Sequence, residues 1–467
     1  MNLYGLLQRA EAESSPVRVG LIGAGKFGSM FLAQAARTPG LHVVGVADLD
    51  LQRARETLDR VGWPPEQCGA PDLETARDRG TTCVTDDGTA LIALAGLQVI
   101  VEATGNPTAG IRHARLAFEH GCHVVMVNVE ADALVGPWLA RQAADAGVVY
   151  SLAYGDQPAL ICEMVDWARA AGFEVIAAGK GTKYLPIYHA STPDTVWTHY
   201  GLTAEQAAAG GMNPQMFNSF LDGTKSAIEM AAVANATGLA AGSGGLKFPP
   251  CEVDRLPQIL KPREVGGQLE IRGQVEVVSS LTRDGAPLPR DLRWGVFAVF
   301  LAPDEYIRRC FREYGLTTDD TGWYAAMYKP FHLIGLELGI SVASVALRRE
   351  PTGQPVAWQA DVVAVAKRDL VSGERLDGEG GYTVWGRLLP AGESLSRRAL
   401  PLGLAHGVRM RRAVRAGHIV KVGDVLIDGT SEIVRVRRMM EATTRPGISG
   451  GAPSWSKTVA QSQPRTE

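Results

Sequence analysis

"VRVGLIGAGKFGSMFLAQAAR", Val17 to Arg37, is the stretch on which the fold turns. Val17 to Ile22 is a β-branched, apolar run of strand character, and it stops at Gly23, Gly25 and Gly28, spaced G-x-G-x-x-G, before a run of helix formers. In a strand-turn-helix unit the first glycine permits the tight turn. The second lets a pyrophosphate approach the backbone, and the third lets helix and strand pack closely; the helix N-terminus then offers free N–H groups to the phosphates. A second strand, "HVVGVADLD", ends in Asp48, 20 positions beyond Gly28, where a carboxylate reaches ribose hydroxyls. The pattern predicts a Rossmann-type parallel sheet domain binding NAD or NADP, with Gly23, Gly25, Lys26, Phe27, Gly28 and Asp48 at the cofactor. Asp48 favours NAD because it repels a 2′-phosphate, while Arg53 and Arg55 just beyond it favour NADP or form a solvated helix face. Both cofactors stay open.

The alternation continues outward. "VIVEATGNP" is a strand followed by a loop, so Thr104, Gly105, Asn106 and Pro107 fall beside the nicotinamide. Asn128 and Glu130, after strand His123 to Asn128, fall in the same crevice, with a surface loop the equal reading for Glu130. Asp156 precedes Gln157 and Pro158 and suits a helix N-cap; contact with substrate is its second reading. The first domain spans residues 1–150 and opens with a short amphipathic helix lacking the features of a signal peptide.

A central α+β domain for catalysis and dimerisation is expected over 151–355. Lys180 and Lys183 lie among glycines, where an anionic group can approach closely, or on an exposed loop. "FNSFLDGTKSAIEMAAVANATGL" reads as one buried helix from Phe217 to Leu239, with Asp222, Lys225 and Glu229 on one stripe. Buried ions must be paired. The expectation is therefore Lys225 held by both carboxylates and aimed at substrate, rather than a purely structural ion pair. Lys329 and His332 precede a small-residue helix that packs back on the first domain and could complete a polar pocket, although a packed or capping histidine explains His332 as well.

Residues 356–442 read as a small all-β module of short valine-rich segments with glycine turns. No catalytic grouping stands out in it, so it reads as an interface or lid. The Ser/Gly/Pro-rich stretch 443–467 reads as a disordered tail. Forty-seven Lys and Arg balance 50 Asp and Glu, a net charge of -3 that argues against nucleic acid or anionic membrane as partner. No apolar run reaches membrane-spanning length. Six scattered cysteines without finger spacing fit a reducing cytoplasm. No carboxylate cluster demands a divalent metal, which stays an unproven addition.

"GLIGAGKFG", "VVMVNVEAD", "GDQP", "FLDGTKSAIEMA" and "YKPFHLIGLE" together resemble the homoserine dehydrogenase-like oxidoreductases. Over nearly the whole chain the likeness is to the branch with a C-terminal SAF (β-clip) domain, which includes 1-deoxy-D-xylulose 5-phosphate reductoisomerase-like enzymes. The resemblance implies a homodimer through the central domain, and it places the family's Asp-x-x-Lys on Asp222 and Lys225. The Asn-Lys of homoserine dehydrogenases is absent, since Val127, Asn128, Val129 and Glu130 stand there. It therefore implies an NAD(P)H-dependent reductase of a small, polar, anionic substrate. The candidate is 1-deoxy-D-xylulose 5-phosphate, reduced to 2-C-methyl-D-erythritol 4-phosphate, with Lys180, Lys183 or Lys329 on the phosphate. A dehydrogenase of a sugar acid or amino-acid-derived alcohol is the alternative, and a non-catalytic nucleotide sensor the second.

Overall fold

The computed structural model describes residues 2–209 and 211–447. Its first layer is a six-stranded parallel sheet of β1 (Val17–Ile22), β2 (Leu41–Ala47), β3 (Cys83–Thr85), β4 (Val99–Glu102), β5 (His123–Met126) and β6 (Tyr150–Leu152). The order is β3-β2-β1-β4-β5-β6, the doubly wound arrangement in which a crevice opens beyond the carboxyl ends of β1 and β4. Helices cover both faces, which is why β1 and β4 are apolar on consecutive residues and almost wholly buried.

The second layer is a mixed sheet, β10-β11-β9-β7-β8, built from β7 (Glu174–Thr182), β8 (Gln274–Ser279), β9 (Val296–Leu301), β10 (Thr317–Thr318) and β11 (Tyr324–Lys329). The helix Thr224–Thr237 stands at the meeting point of all three parts of the molecule. It packs on the Gln157–Ala170 helix, on the Val129–Asp145 helix of the first layer, and on strands of the C-terminal part. Alanines and other small residues fill it because backbones approach it from several sides, and an all-round apolar helix is a buried one.

The stretch that reads as one helix is two. Pro214–Leu221 ends at Asp222, Gly223 reverses the backbone with φ +89°, and a new helix starts at Thr224. Asp222 Oδ1 accepts the Thr224 N–H at 2.9 Å, satisfying a free amide of the new first turn. The helix expected from His332 begins only at Gly339 and runs to Ala343, continuing as a π-type turn over Ser344–Arg348. Leu338, Val342 and Val345 join the core formed by Val17, Val19, Leu21 and Phe31. This segment does cover the first sheet.

The C-terminal part holds two small antiparallel sheets: β12 (Ala360–Ala366) with β14 (Val384–Pro390), and β13 (Arg375–Asp377) with β15 (His406–Met410) and β16 (Val425–Leu426). It is not all-β, since helices Ala391–Arg397 and Glu432–Thr443 belong to it. The latter lies on the first domain. Its Arg437 is 2% exposed, donates to Asp361 at 3.0 and 2.7 Å and to the Leu134 carbonyl at 2.9 Å, and stacks over Trp358. The chain stays anchored past this helix, because the Gly447 N–H donates to the Trp358 carbonyl at 2.8 Å. The expected tail therefore does not start at 443; its remainder, 448–467, lies outside the described residues.

Asp132, in the Val129–Asp145 helix, is fully buried. It accepts the Tyr150 hydroxyl at 2.8 Å on Oδ1, while Oδ2 has no partner. Burial pushes its carboxyl up to about 7, and the Tyr150 hydrogen bond only partly opposes this. The folded chain thus keeps a proton that the unfolded chain releases above the ordinary carboxylate range. The stability this proton confers is full at low pH and is lost as pH rises to about 7. Asp132→Asn, which keeps the acceptor for Tyr150, should flatten that slope and raise stability at pH above it by about 2–4 kcal/mol, read by urea denaturation across pH.

Candidate active site

Gly23, with φ +104°, could not carry a Cβ, which would lie 2.6 Å from the Ala103 carbonyl oxygen; a Cβ on Gly28 would strike the Gly23 carbonyl. At Gly25 a Cβ would meet nothing within 4 Å. Open space thus stands before the N-cap of the Lys26–Ala35 helix, the shape a pyrophosphate needs. Lys26 is exposed and Phe27 half-buried in that first turn. Asp48 accepts the Ala24 N–H at 2.7 Å and the Asp50 N–H at 3.0 Å, and pairs with Arg53, one of the two arginines that bear on cofactor choice.

Beyond β4, Thr104 donates to Glu102 at 2.6 Å, Gly105 turns the chain, and Asn106 caps the Pro107–Glu119 helix through the Ala109 N–H. Asn128 holds this loop. Its amide donates to the Asn106 carbonyl at 2.8 Å while its oxygen caps Ala131, so its side chain positions the loop.

The charges pair differently from the single stripe expected. Lys225 reaches across the crevice to Glu130 of the first domain. Glu229 pairs with Lys180, which also donates to Gln157 at 2.7 Å. Asp222 is fully buried, with the ammonium of Lys367, from β12's end, 2.8 Å away. Neither carboxylate pairs directly with Lys225: the break at Gly223 turns Asp222 out of the later helix's register, and Glu229 is taken by Lys180. Asp156 is buried and caps its helix, accepting the Gln157 N–H at 2.9 Å. Lys329 pairs with Glu337 at 2.7 Å, and the half-buried His332 is held by the Trp294 carbonyl at 2.7 Å. Lys183 donates to the His199 carbonyl and lies over the Tyr200 ring, outside this network.

Burial works to lower the Lys225 pKa, but Glu130, Glu379, Glu229 and Asp156 outweigh it and hold the ammonium well above the ordinary lysine range. Burial and Glu229 push Asp156 up to about 6 against Lys225, His332 and the Gln157 amide. Burial and Glu130 push Glu379 up to about 8, against the attraction of Lys225. A cavity of about 390 Å³ runs along Gly105, Asn106, Pro107, Glu130 and Gln215 and on to residues of the C-terminal part, Glu379, His406 and Asp428 among them. Its described lining holds Glu130, Asp361, Glu379 and Asp428 and no lysine or arginine.

Two family models match adjacent stretches of the chain. The homoserine dehydrogenase NAD-binding domain covers residues 20–151, and the catalytic domain of oxidoreductase DRL covers 155–338. The chain therefore carries an NAD-binding domain of the homoserine dehydrogenase type and, after it, a catalytic domain of the oxidoreductase DRL type. No curated protein matches it in sequence. Solved structures similar to this chain include an oxidoreductase from Agrobacterium radiobacter bound to NAD+, L-tartaric acid and magnesium, at 16% identity over 36% of this chain and 44% of that one, TM-score 0.26. A myo-inositol dehydrogenase from Corynebacterium glutamicum is 14% identical over 39% and 48%, TM-score 0.28. A candidate NADPH-dependent oxidoreductase from Desulfitobacterium hafniense is 10% identical over 72% and 89%, TM-score 0.37. The chain spans about half the length or less of the first two. Among its described residues no helix is long and apolar enough to cross a membrane, and no group of three or more His, Cys, Asp or Glu is arranged to hold a metal ion.

Sequence reasoning missed Lys367 and Glu379. The signal for Glu379 was the run "DGEGG", an acid among glycines, which marks a backbone bent for close approach. Asp222-Gly223, a turn dipeptide, marked the helix break.

Proposed function

We propose that this oxidoreductase interconverts a carbonyl and an alcohol on a small polar substrate held between the first sheet and the Thr224–Thr237 helix. A bound nicotinamide supplies or accepts the hydride. Gly23, Gly25, Gly28 and the first turn at Lys26 and Phe27 would receive the pyrophosphate, Asp48 the ribose, and the Thr104–Pro107 loop would border the nicotinamide. Lys225 carries the reading. Its ammonium pairs with Glu130, which lines the cavity, and its carboxylate neighbours keep it cationic, so it stabilises negative charge gathering on the substrate oxygen. Glu130 fixes its position. Asp156, Gln157, Lys180 and Glu229 form the wall behind it, each already paired, which leaves the site rigid.

Charge favours an uncharged polyhydroxy or amine-bearing substrate over a phosphorylated one. Lys180, Lys225 and Lys329 are each matched by a carboxylate, and the cavity lining is acidic. A phosphate there would lose its hydration without gaining a free cation. That leaves 1-deoxy-D-xylulose 5-phosphate less favoured than an unphosphorylated hydroxy-ketone, polyol or amino alcohol. NADH and NADPH oxidation should be followed against matched pairs of ketoses and hydroxy-aldehydes with and without phosphate, and NAD(P)+ reduction against polyols and amino alcohols. Turnover confined to unphosphorylated compounds is the expected result. Turnover confined to the phosphorylated partners would overturn the charge assignment, and tight cofactor binding with no turnover of any compound would favour the nucleotide-sensing alternative.

A further inference from the structure

We infer that Glu379, delivered into the crevice by the C-terminal part of the chain, is the acid that protonates the carbonyl oxygen during reduction and the base that removes the alcohol proton in reverse. The inference rests on the carbonyl–alcohol reading above. That reading leaves the proton without a source, because Lys225 is held cationic by its carboxylate neighbours and an acid that binds its proton so firmly is a poor donor.

Glu379 lines the same cavity as Glu130 and the Asn106–Pro107 loop, so it borders the space where the reacting oxygen must lie. Its loop is built to stay there. Gln215 donates to the Glu379 carbonyl at 2.8 Å and Asn218 to the Gly380 carbonyl at 2.8 Å. Lys367 donates to the Gly381 carbonyl at 2.7 Å while standing beside Asp222, so one buried ammonium ties this loop to the helix junction next to Lys225. A side chain at Gly380 would collide with the Gln215 carbonyl, which shows how closely the loop is seated.

The groups facing Glu379 are Glu130 and Asp222, which favour its neutral form, and Lys225 and a Ser219 hydrogen bond, which favour the carboxylate; Asp361, His406 and Asp428 line the same cavity. The balance keeps Glu379 protonated near neutral pH, the state an acid needs. Asp156, the other carboxyl lifted toward neutrality, already caps a helix and does not line the cavity.

The step balances in charge and atoms. The hydride brings two electrons and a hydrogen to the carbonyl carbon as the C=O π bond opens, and the Glu379 O–H bond breaks to form the alcohol O–H. The products are the alcohol, the oxidised nicotinamide and a Glu379 carboxylate, which regains its proton from water.

Two measurements on the full chain test this. Infrared difference spectra, wild type minus Glu379→Gln, should show a protonated carboxylic acid at neutral pH that fades as pH rises through about 8. With a substrate found as described above, Glu379→Gln should lower kcat on the order of 10²-fold, abolish the alkaline limb of the kcat profile, and leave NADH affinity unchanged. Absence of the infrared band, or a variant with wild-type turnover and the same alkaline limb, overturns the inference. So does loss of that limb in Asp156→Asn instead. If the band is present but the wild type turns over no carbonyl or alcohol, the functional reading fails, and the catalytic role falls with it. Should the Gln variant not fold, Glu379→Asp takes its place: a displaced alkaline limb with kcat about 10-fold lower supports the role, and an unmoved limb overturns it.

Discussion

Lys225→Met should lower kcat by about 10²–10³-fold while leaving the affinity for NADH or NADPH within a few-fold of wild type. The ammonium pairs with the cavity-lining Glu130, so under the proposed role its loss removes the charge that stabilises the substrate oxygen and leaves the phosphate cradle at Gly25 intact. It also leaves Glu130 without its partner in a largely buried position, and stability should fall. Structural and chemical roles separate in a double variant. Lys225→Met with Glu130→Gln removes both charges, so melting temperature should recover while turnover stays lost. Recovery of turnover along with stability would show that Lys225 acts only as a strut.

The largest stability effect is expected at Arg437→Met. Arg437 and Asp361 are almost completely buried, joined by two hydrogen bonds, and Asp361 also accepts the Ser394 hydroxyl at 2.6 Å. Removing the guanidinium leaves a carboxylate with no counter-charge in the seam between the last helix and the first domain, at a cost of about 3–5 kcal/mol. Urea denaturation should show the loss in the first transition. Adding Asp361→Leu should restore most of it, because an apolar pair of similar volume is tolerated where a lone charge is not. Since Asp361 lines the same cavity as Glu379, Arg437→Met should reduce turnover more than cofactor affinity. An equal loss in both would mean that the helix supports the first domain alone.

The sequence made the first domain readable because its information is local. The turn at Gly23, the close packing at Gly28 and the acidic end of β2 at Asp48 lie within 26 residues; the glycines follow from backbone sterics within one strand-turn-helix unit, and Asp48 from its place after the next strand. The burial of the Thr224–Thr237 helix was legible for the same reason, since composition and 3.6-residue spacing report what a helix faces. The identity of each ion's partner was not legible. A stripe through Asp222, Lys225 and Glu229 presumes an unbroken helix, and Gly223 breaks it.

By itself, then, the sequence determined a nucleotide-binding sheet, a buried polar helix and a separate β-rich C-terminal part. Only the tertiary structure decided that Lys225 meets Glu130, 95 residues away, that Lys180 meets Glu229, that Lys367 from the C-terminal part meets the buried Asp222, and that Glu379 lines the same cavity as Glu130. The reason is electrostatic. Withdrawing an ion from water is tolerable only beside an opposite charge, and which charge that is depends on how whole layers dock, which no local spacing encodes.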